Sequence, residues 1–199
     1  MGGAVLAEVV RGGLVESAHT DTYVLLDRDG RVERAARTPD ELLVLAVPSH
    51  TGEQRHVDLV EQLLATLTLD VTTLRNRPAV PLEPVRAAVP GPSAVGAPCS
   101  GKHAAMIATC VHWGWPAAGY EVLDHPLRRW LLRAVERLTG ARAGVTVFDG
   151  CGAPTFSVPL TALARAMRRL VLAEPGSPSG ELPTRCAHIP RWWAARCAR

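Results

Sequence analysis

Apolar residues alternate with polar ones in two N-terminal stretches, AVLAEVVRGGLVES and TYVLLDRDGRVERAA, which predicts antiparallel strands. Asp29-Gly30 supplies the tight turn that joins a hairpin. The period then changes from two to 3.6. TPDELLVLAV opens on Thr38, Pro39 and Glu41, a capping box with proline at the first helical position, and Pro48 closes it. A second box from Thr51 to Gln54 starts a helix that aligns Val57, Val60, Leu64 and Leu67 on one face. Six prolines between 78 and 98 make residues 76–98 an irregular crossing. After Lys102 a helix of small residues runs to about Gly114, and DHPLRRWLLRAVERLTG predicts an amphipathic helix capped by Asp124 and stopped by Gly140. GVTVFDG predicts a buried strand that enters the Gly-rich loop DGCGAP, and TALARAMRRLVL predicts a last helix. Strands, then helices, then strand and helix give a mixed α/β (α+β) domain with an antiparallel sheet.

A chain of 199 residues, 47% hydrophobic, can bury one core. The net charge of +3 is too small for a nucleic-acid partner, and no apolar run approaches the ~20 residues of a membrane span. MGGAVLAEVV lacks the charged and long apolar regions of a signal peptide. Five cysteines without a compact framework predict thiols that are free or on metal in a reducing cytoplasm.

Lys102, in CSGKHAAMIATC, is the chain's one lysine; the other 21 of the 22 basic residues are arginine. Gly96-x4-Gly101-Lys102 resembles a phosphate-binding loop, but His103 replaces the Ser or Thr that such a loop places on magnesium, and a proline-broken stretch replaces its strand. Cys99 precedes one helix and Cys151 follows one strand, the junctions where functional groups collect, although a small buried cysteine is the commoner fate of a free thiol. His50 and His56 flank Glu53 at a spacing that a helix start explains, and Ser49 follows Pro48 at the edge of that start.

EVVRGGLVESAH, VLLDRDGRV, SHTGEQRHV, CSGKHAAMIATC, DHPLRRW and DGCGAP occur in the order found in the bacterial L-asparaginase II family, which the chain resembles from about Glu8 to Leu172. This is the zinc-containing type whose fold is similar to serine β-lactamases and penicillin-binding proteins. The resemblance implies a partial fold of that kind over residues 1–174 and hydrolysis of the asparagine side-chain amide to aspartate and ammonia. It implies zinc (Zn2+) as cofactor, with Cys99, Lys102 and Cys151 as ligands, and His103 and Asp149 lining the substrate pocket or supporting those ligands. Ser49 matches one of two serines in paired Ser-Lys catalytic arrangements. The partner implied is a small amide substrate, asparagine, with no nucleic acid and no membrane, and a homodimer is compatible with the chain. A ligand needs a lone pair: lysine can shed its proton and arginine cannot. Neutralising a lysine at pH 7 costs roughly 4–5 kcal/mol, which metal coordination can offset.

The family's first catalytic pair is a Ser-x-x-Lys on a helix after the first hairpin. Here Arg37 passes directly into TPDELLVLAVPSH, and the residue three before the single lysine is Cys99. The lysine paired with the Ser49 position falls, in the family, beyond residue 199. Both bases are absent, so the expectation is an impaired amidohydrolase; the alternative is a zinc- or ligand-binding remnant without turnover. His50 beside Ser49 is a weaker candidate base. After Glu174 the periodicity stops, and Arg185 to Ala195, back-translated with suitable synonymous codons and read one base earlier, gives Met-Arg-Ala-His-Pro-Ala-Leu-Val-Gly, a family-like continuation. Residues 175–199 are therefore expected to be a frameshifted, non-native tail. Limited proteolysis is expected to trim this tail while the preceding domain survives; a protease-resistant tail with Trp192 and Trp193 buried would mark a genuine C-terminal element.

Overall fold

The computed structural model describes residues 49–172, Leu45–Ala46 and three N-terminal strands. Those strands, β1 (Leu14–Glu16), β2 (Tyr23–Leu26) and β3 (Val32–Ala36), form an antiparallel meander. Val15 pairs with Val24 and Val24 with Ala35; the register shifts between Leu25 and Leu26, where β3 carries the extra residue Glu33. The Asp29-Gly30 turn, the Thr38–Glu41 cap, Pro48 and the 175–199 tail lie outside the described residues.

Among the described residues, four helices of a dozen or more residues follow: α1 (Gln54–Thr66), α2 (Ser100–His112), α3 (Pro126–Thr139) and α4 (Leu160–Val171). A hairpin of β4 (Thr146–Phe148) and β5 (Pro154–Phe156) stands between α3 and α4 in sequence. The fold is thus mixed α/β, with antiparallel strand pairing. The proline-rich crossing is irregular as expected, apart from a short 3-10 turn at Pro84–Arg86 and one bridge between Ala79 and Ser93.

Two helix starts differ from the sequence expectation. The cap of α1 is Glu53, whose carboxylate accepts the His56 N–H while His56 Nδ1 accepts the Glu53 N–H. Thr51, expected to be the cap, instead donates its hydroxyl to Glu53 Oε1 at 3.2 Å. His56 closes the reciprocal box because its imidazole nitrogen reaches the cap N–H as a glutamine would. In α3, Pro126 occupies the first turn, so the cap moves from Asp124 to His125, whose Nδ1 accepts the Leu127 N–H at 3.1 Å. Gly140 stops α3 in the left-handed region, as expected.

The core forms where α1 packs on α2 and α3 closes the other side. Val57, Val60 and Leu64 are buried on α1; Ala104, Ile107 and Cys110 on α2; Leu127, Leu131 and Ala134 on α3. Each buried Leu or Ile contributes roughly 1.5–3 kcal/mol. The β4 strand departs from expectation. Val145, Val147 and Phe148 are 70%, 49% and 56% exposed. An apolar run reads as buried only if both faces are covered, and among the described residues β4 pairs with β5 alone.

α2 approaches the preceding backbone so closely that a Cβ on Gly101 would overlap the Leu45 carbonyl oxygen and lie 2.5 Å from Leu45 Cγ. Gly101→Ala is therefore expected to destabilise the domain by about 1–3 kcal/mol, the cost of overpacking, measured as a lower urea midpoint at unchanged slope. An unchanged midpoint would show that α2 can move away freely.

Candidate functional site

Three separate segments meet at the start of α2. The first is residues 49–53, tied down by the His50 N–H on the Pro98 carbonyl (3.1 Å) and by the Ala88 N–H on the Gly52 carbonyl (3.0 Å). The second is Cys99 at the cap of α2, followed by Ser100, Gly101 and Lys102 in its first turn. The third is the tip of the β4–β5 hairpin. There the Asp149 N–H donates to the Ala153 carbonyl (2.8 Å) and the Gly152 N–H to the Asp149 carbonyl (2.9 Å), so that Cys151 projects from a tight turn. Gly152 sits at φ 91°, a backbone that L side chains rarely adopt, which accounts for glycine after the cysteine. The Arg77 N–H donates to the Cys151 carbonyl at 2.9 Å and fixes the tip.

Ser49 Oγ lies 4.0 Å from Cys99 Sγ, both side chains half-buried. Cys99 and Cys151 are free cysteines whose thiols interact with each other. The neighbouring Cys151 thiol, helped by the Lys102 charge and the Ser49 hydroxyl, pulls the Cys99 thiol down against burial and the Asp149 carboxylate. The Cys99 thiol, with burial next, pushes Cys151 up. Lys102, half-buried, acts electrostatically on Cys99, His50 and His103. Asp149 is exposed, and its charge reaches both thiols and His103.

His103 lies deeper than its neighbours, fully buried, with Nδ1 2.8 Å from the Tyr120 hydroxyl. That hydroxyl also accepts the Arg75 N–H at 2.9 Å. His103 Nε2 has no hydrogen-bond partner. His50 is also buried: its Nδ1 accepts the Gly52 N–H at 3.2 Å, so its proton sits on Nε2, which donates to Ser100 Oγ at 2.9 Å. Neither nitrogen is left to take a proton from Ser49. Cys110 is a buried core thiol pushed up to about 12 by desolvation, and Cys186 and Cys197 lie outside the described residues.

Among the described residues, no three His, Cys, Asp or Glu side chains stand together as a metal site. A metal here would need the Lys102 nitrogen beside the two thiols. The donor chemistry fits zinc: two interacting thiols, with an amine in the helical turn that Cys99 caps. The phosphate-loop likeness fails structurally, because no strand leads into α2.

The L-asparaginase II family model matches residues 33–195. The chain belongs to the L-asparaginase II family. The match takes in Ser49 and both cysteine motifs and runs into the 175–199 segment; the first two quoted stretches, EVVRGGLVESAH and VLLDRDGRV, lie ahead of it. No curated protein matches the chain. Among the described residues, no helix is long and apolar enough to cross a membrane.

Sequence reasoning missed the partners beneath these residues: Tyr120 under His103, and Arg128. Arg128 carried a signal, since it lies in the α3 stripe with Leu127, Leu131 and Ala134, where an apolar residue is expected. Burial holds His50 down at about 3 and His56 at about 4, with the His56 and Lys102 charges adding for the first and the Arg55 charge for the second. The unfolded chain protonates near pH 6.5 and the folded one does not, so this stability is complete above 6.5 and drains as pH falls toward 4 and then 3. Each histidine changes stability by up to about 1.4 kcal/mol per pH unit in that window. Urea titrations at pH 7, 6 and 5 are expected to show falling midpoints, with a shallower fall in His50→Gln. A flat profile would place protonated histidines in the native state.

Proposed function

We propose that the chain binds asparagine or a closely related side-chain amide at the Ser49–Cys99–Cys151 cluster, beside a zinc ion held by Cys99, Lys102 and Cys151, and hydrolyses the amide slowly. The observation that carries this reading is the convergence of Ser49 with the two thiols from three segments of an L-asparaginase II family chain. Bound zinc would polarise the amide carbonyl oxygen.

Ser49 Oγ is the nucleophile in this reading. It bonds to the carbonyl carbon, the C–N bond breaks, ammonia leaves, and water then cleaves the serine ester to give aspartate. Asp149, exposed beside the thiols, offers a carboxylate to the substrate's α-ammonium group. His103 supports the site from below through Tyr120.

The weak point is the proton on Ser49. Lys102 is the one amine among these side chains, and a lone pair given to a metal cannot also take a proton. His50 has both nitrogens committed. Loss of a positioned base is worth about 10²–10⁴-fold in rate. The same shortage favours the second reading, a zinc- or ligand-binding remnant that does not turn over.

Zinc-loaded protein is expected to contain one zinc per chain and to release ammonia from asparagine about 10²–10⁴-fold more slowly than a family member with its base in place. Ser49→Ala should abolish that residual rate. Calorimetric binding of asparagine without ammonia release would select the second reading. Protein that takes up neither zinc nor asparagine would overturn both.

A further inference from the structure

Arg128 enters the core from the apolar face of α3 and is 3% exposed. Its guanidinium bonds to three neutral acceptors on three separate segments: the turn after α2, β5 and α2 itself. Nε donates to the Tyr120 carbonyl at 3.1 Å, one terminal nitrogen to the Pro154 carbonyl at 3.2 Å, and the other to Met106 Sδ at 3.5 Å. Burial lowers its pKa to about 10, so it stays charged at neutral pH. A buried cation held by neutral groups is an expensive way to fill space, and an aliphatic side chain would fill it at lower cost. What the planar fork adds is a simultaneous tie between parts of the chain that are far apart in sequence.

Those parts are the ones that carry the thiols. Pro154 opens β5, three residues after Cys151. Met106 is on α2, one turn after Lys102 and on the same face as His103. Tyr120 places its hydroxyl on His103 and on the Arg75 N–H, two residues before the Arg77 N–H that holds the Cys151 carbonyl. We propose that Arg128 is a positioning residue that holds the β4–β5 hairpin against α2 and so sets Cys151 opposite Cys99. Its role in thiol spacing stands on this geometry alone; its role in metal binding rests on the zinc reading above.

The test uses the metal-free 199-residue protein and dibromobimane, which bridges two neighbouring thiols, with yield read as the bridged Cys99–Cys151 peptide by mass spectrometry. Three variants are compared with the parent: Arg128→Met, which removes the fork; Arg128→Lys, which keeps the charge on a single nitrogen; and Leu131→Ala, which weakens the same helix with the fork intact. Bridging is expected to fall severalfold in both Arg128 variants and to stay near the parent value in Leu131→Ala, with helical circular dichroism retained. Zinc affinity, by chelator competition, should fall by about 10–100-fold in the Arg128 variants. Unchanged bridging in a folded Arg128 variant, or an equal loss in Leu131→Ala, would overturn the proposal. Should Arg128→Met fail to fold, Arg128→Lys against Leu131→Ala decides. A parent that bridges but binds no zinc, with bridging lost in the Arg128 variants, would keep the positioning role and remove the zinc reading.

Discussion

The contact between Gly101 and the Leu45 carbonyl sets the height at which α2 sits on the chain before it. A helix that approaches backbone this closely has no room to slide, and its first turn carries Cys99, Ser100 and Lys102. With that height fixed, Ser100 meets His50, the His50 N–H meets Pro98, and Ser49 is brought to within 4.0 Å of Cys99. The glycine of the CSGKH motif is therefore as much part of the site as the sulfur and the amine on either side of it. Its contribution is the absence of a side chain.

Around that turn the buried histidines are polar but kept uncharged. His50 and His56 stack with ring centres 5.0 Å apart, and both resist protonation because they are buried. The one buried charge among the described residues, that of Arg128, is met in another way, by two carbonyls and a thioether. Low dielectric strengthens each of these contacts and raises the penalty for leaving any of them unmade. Geometry at the thiols is thus held by hydrogen bonds from below as well as by packing.

Much of this was legible in the sequence, and the failures have physical causes. Helix positions followed from the spacing of Val57, Val60 and Leu64 and from the amphipathic run DHPLRRWLLRAVERLTG, because an apolar stripe at 3.6 residues has few other uses. The caps slipped by one or two residues because histidine stood in for the usual acceptors at both starts. Burial of β4 was misjudged because Val145, Val147 and Phe148 encode an apolar run without encoding what lies over it. The cysteine motifs brought Cys99, Lys102 and Cys151 forward through family resemblance. Which groups would support them, Tyr120 and Arg128, depended on contacts across 8 to 45 positions that no local period records.

The solitary lysine has a consequence for how the protein can be handled. Among the side chains of these 199 residues, an acylating or reductively alkylating reagent finds one amine, half-buried in the first turn of α2. A fluorophore, a biotin or an isotope label attached through lysine would mark the thiol cluster and no other part of the surface. Immobilisation through lysine would find no other side-chain amine to use. Arginine elsewhere keeps the surface cationic and leaves it inert to such reagents.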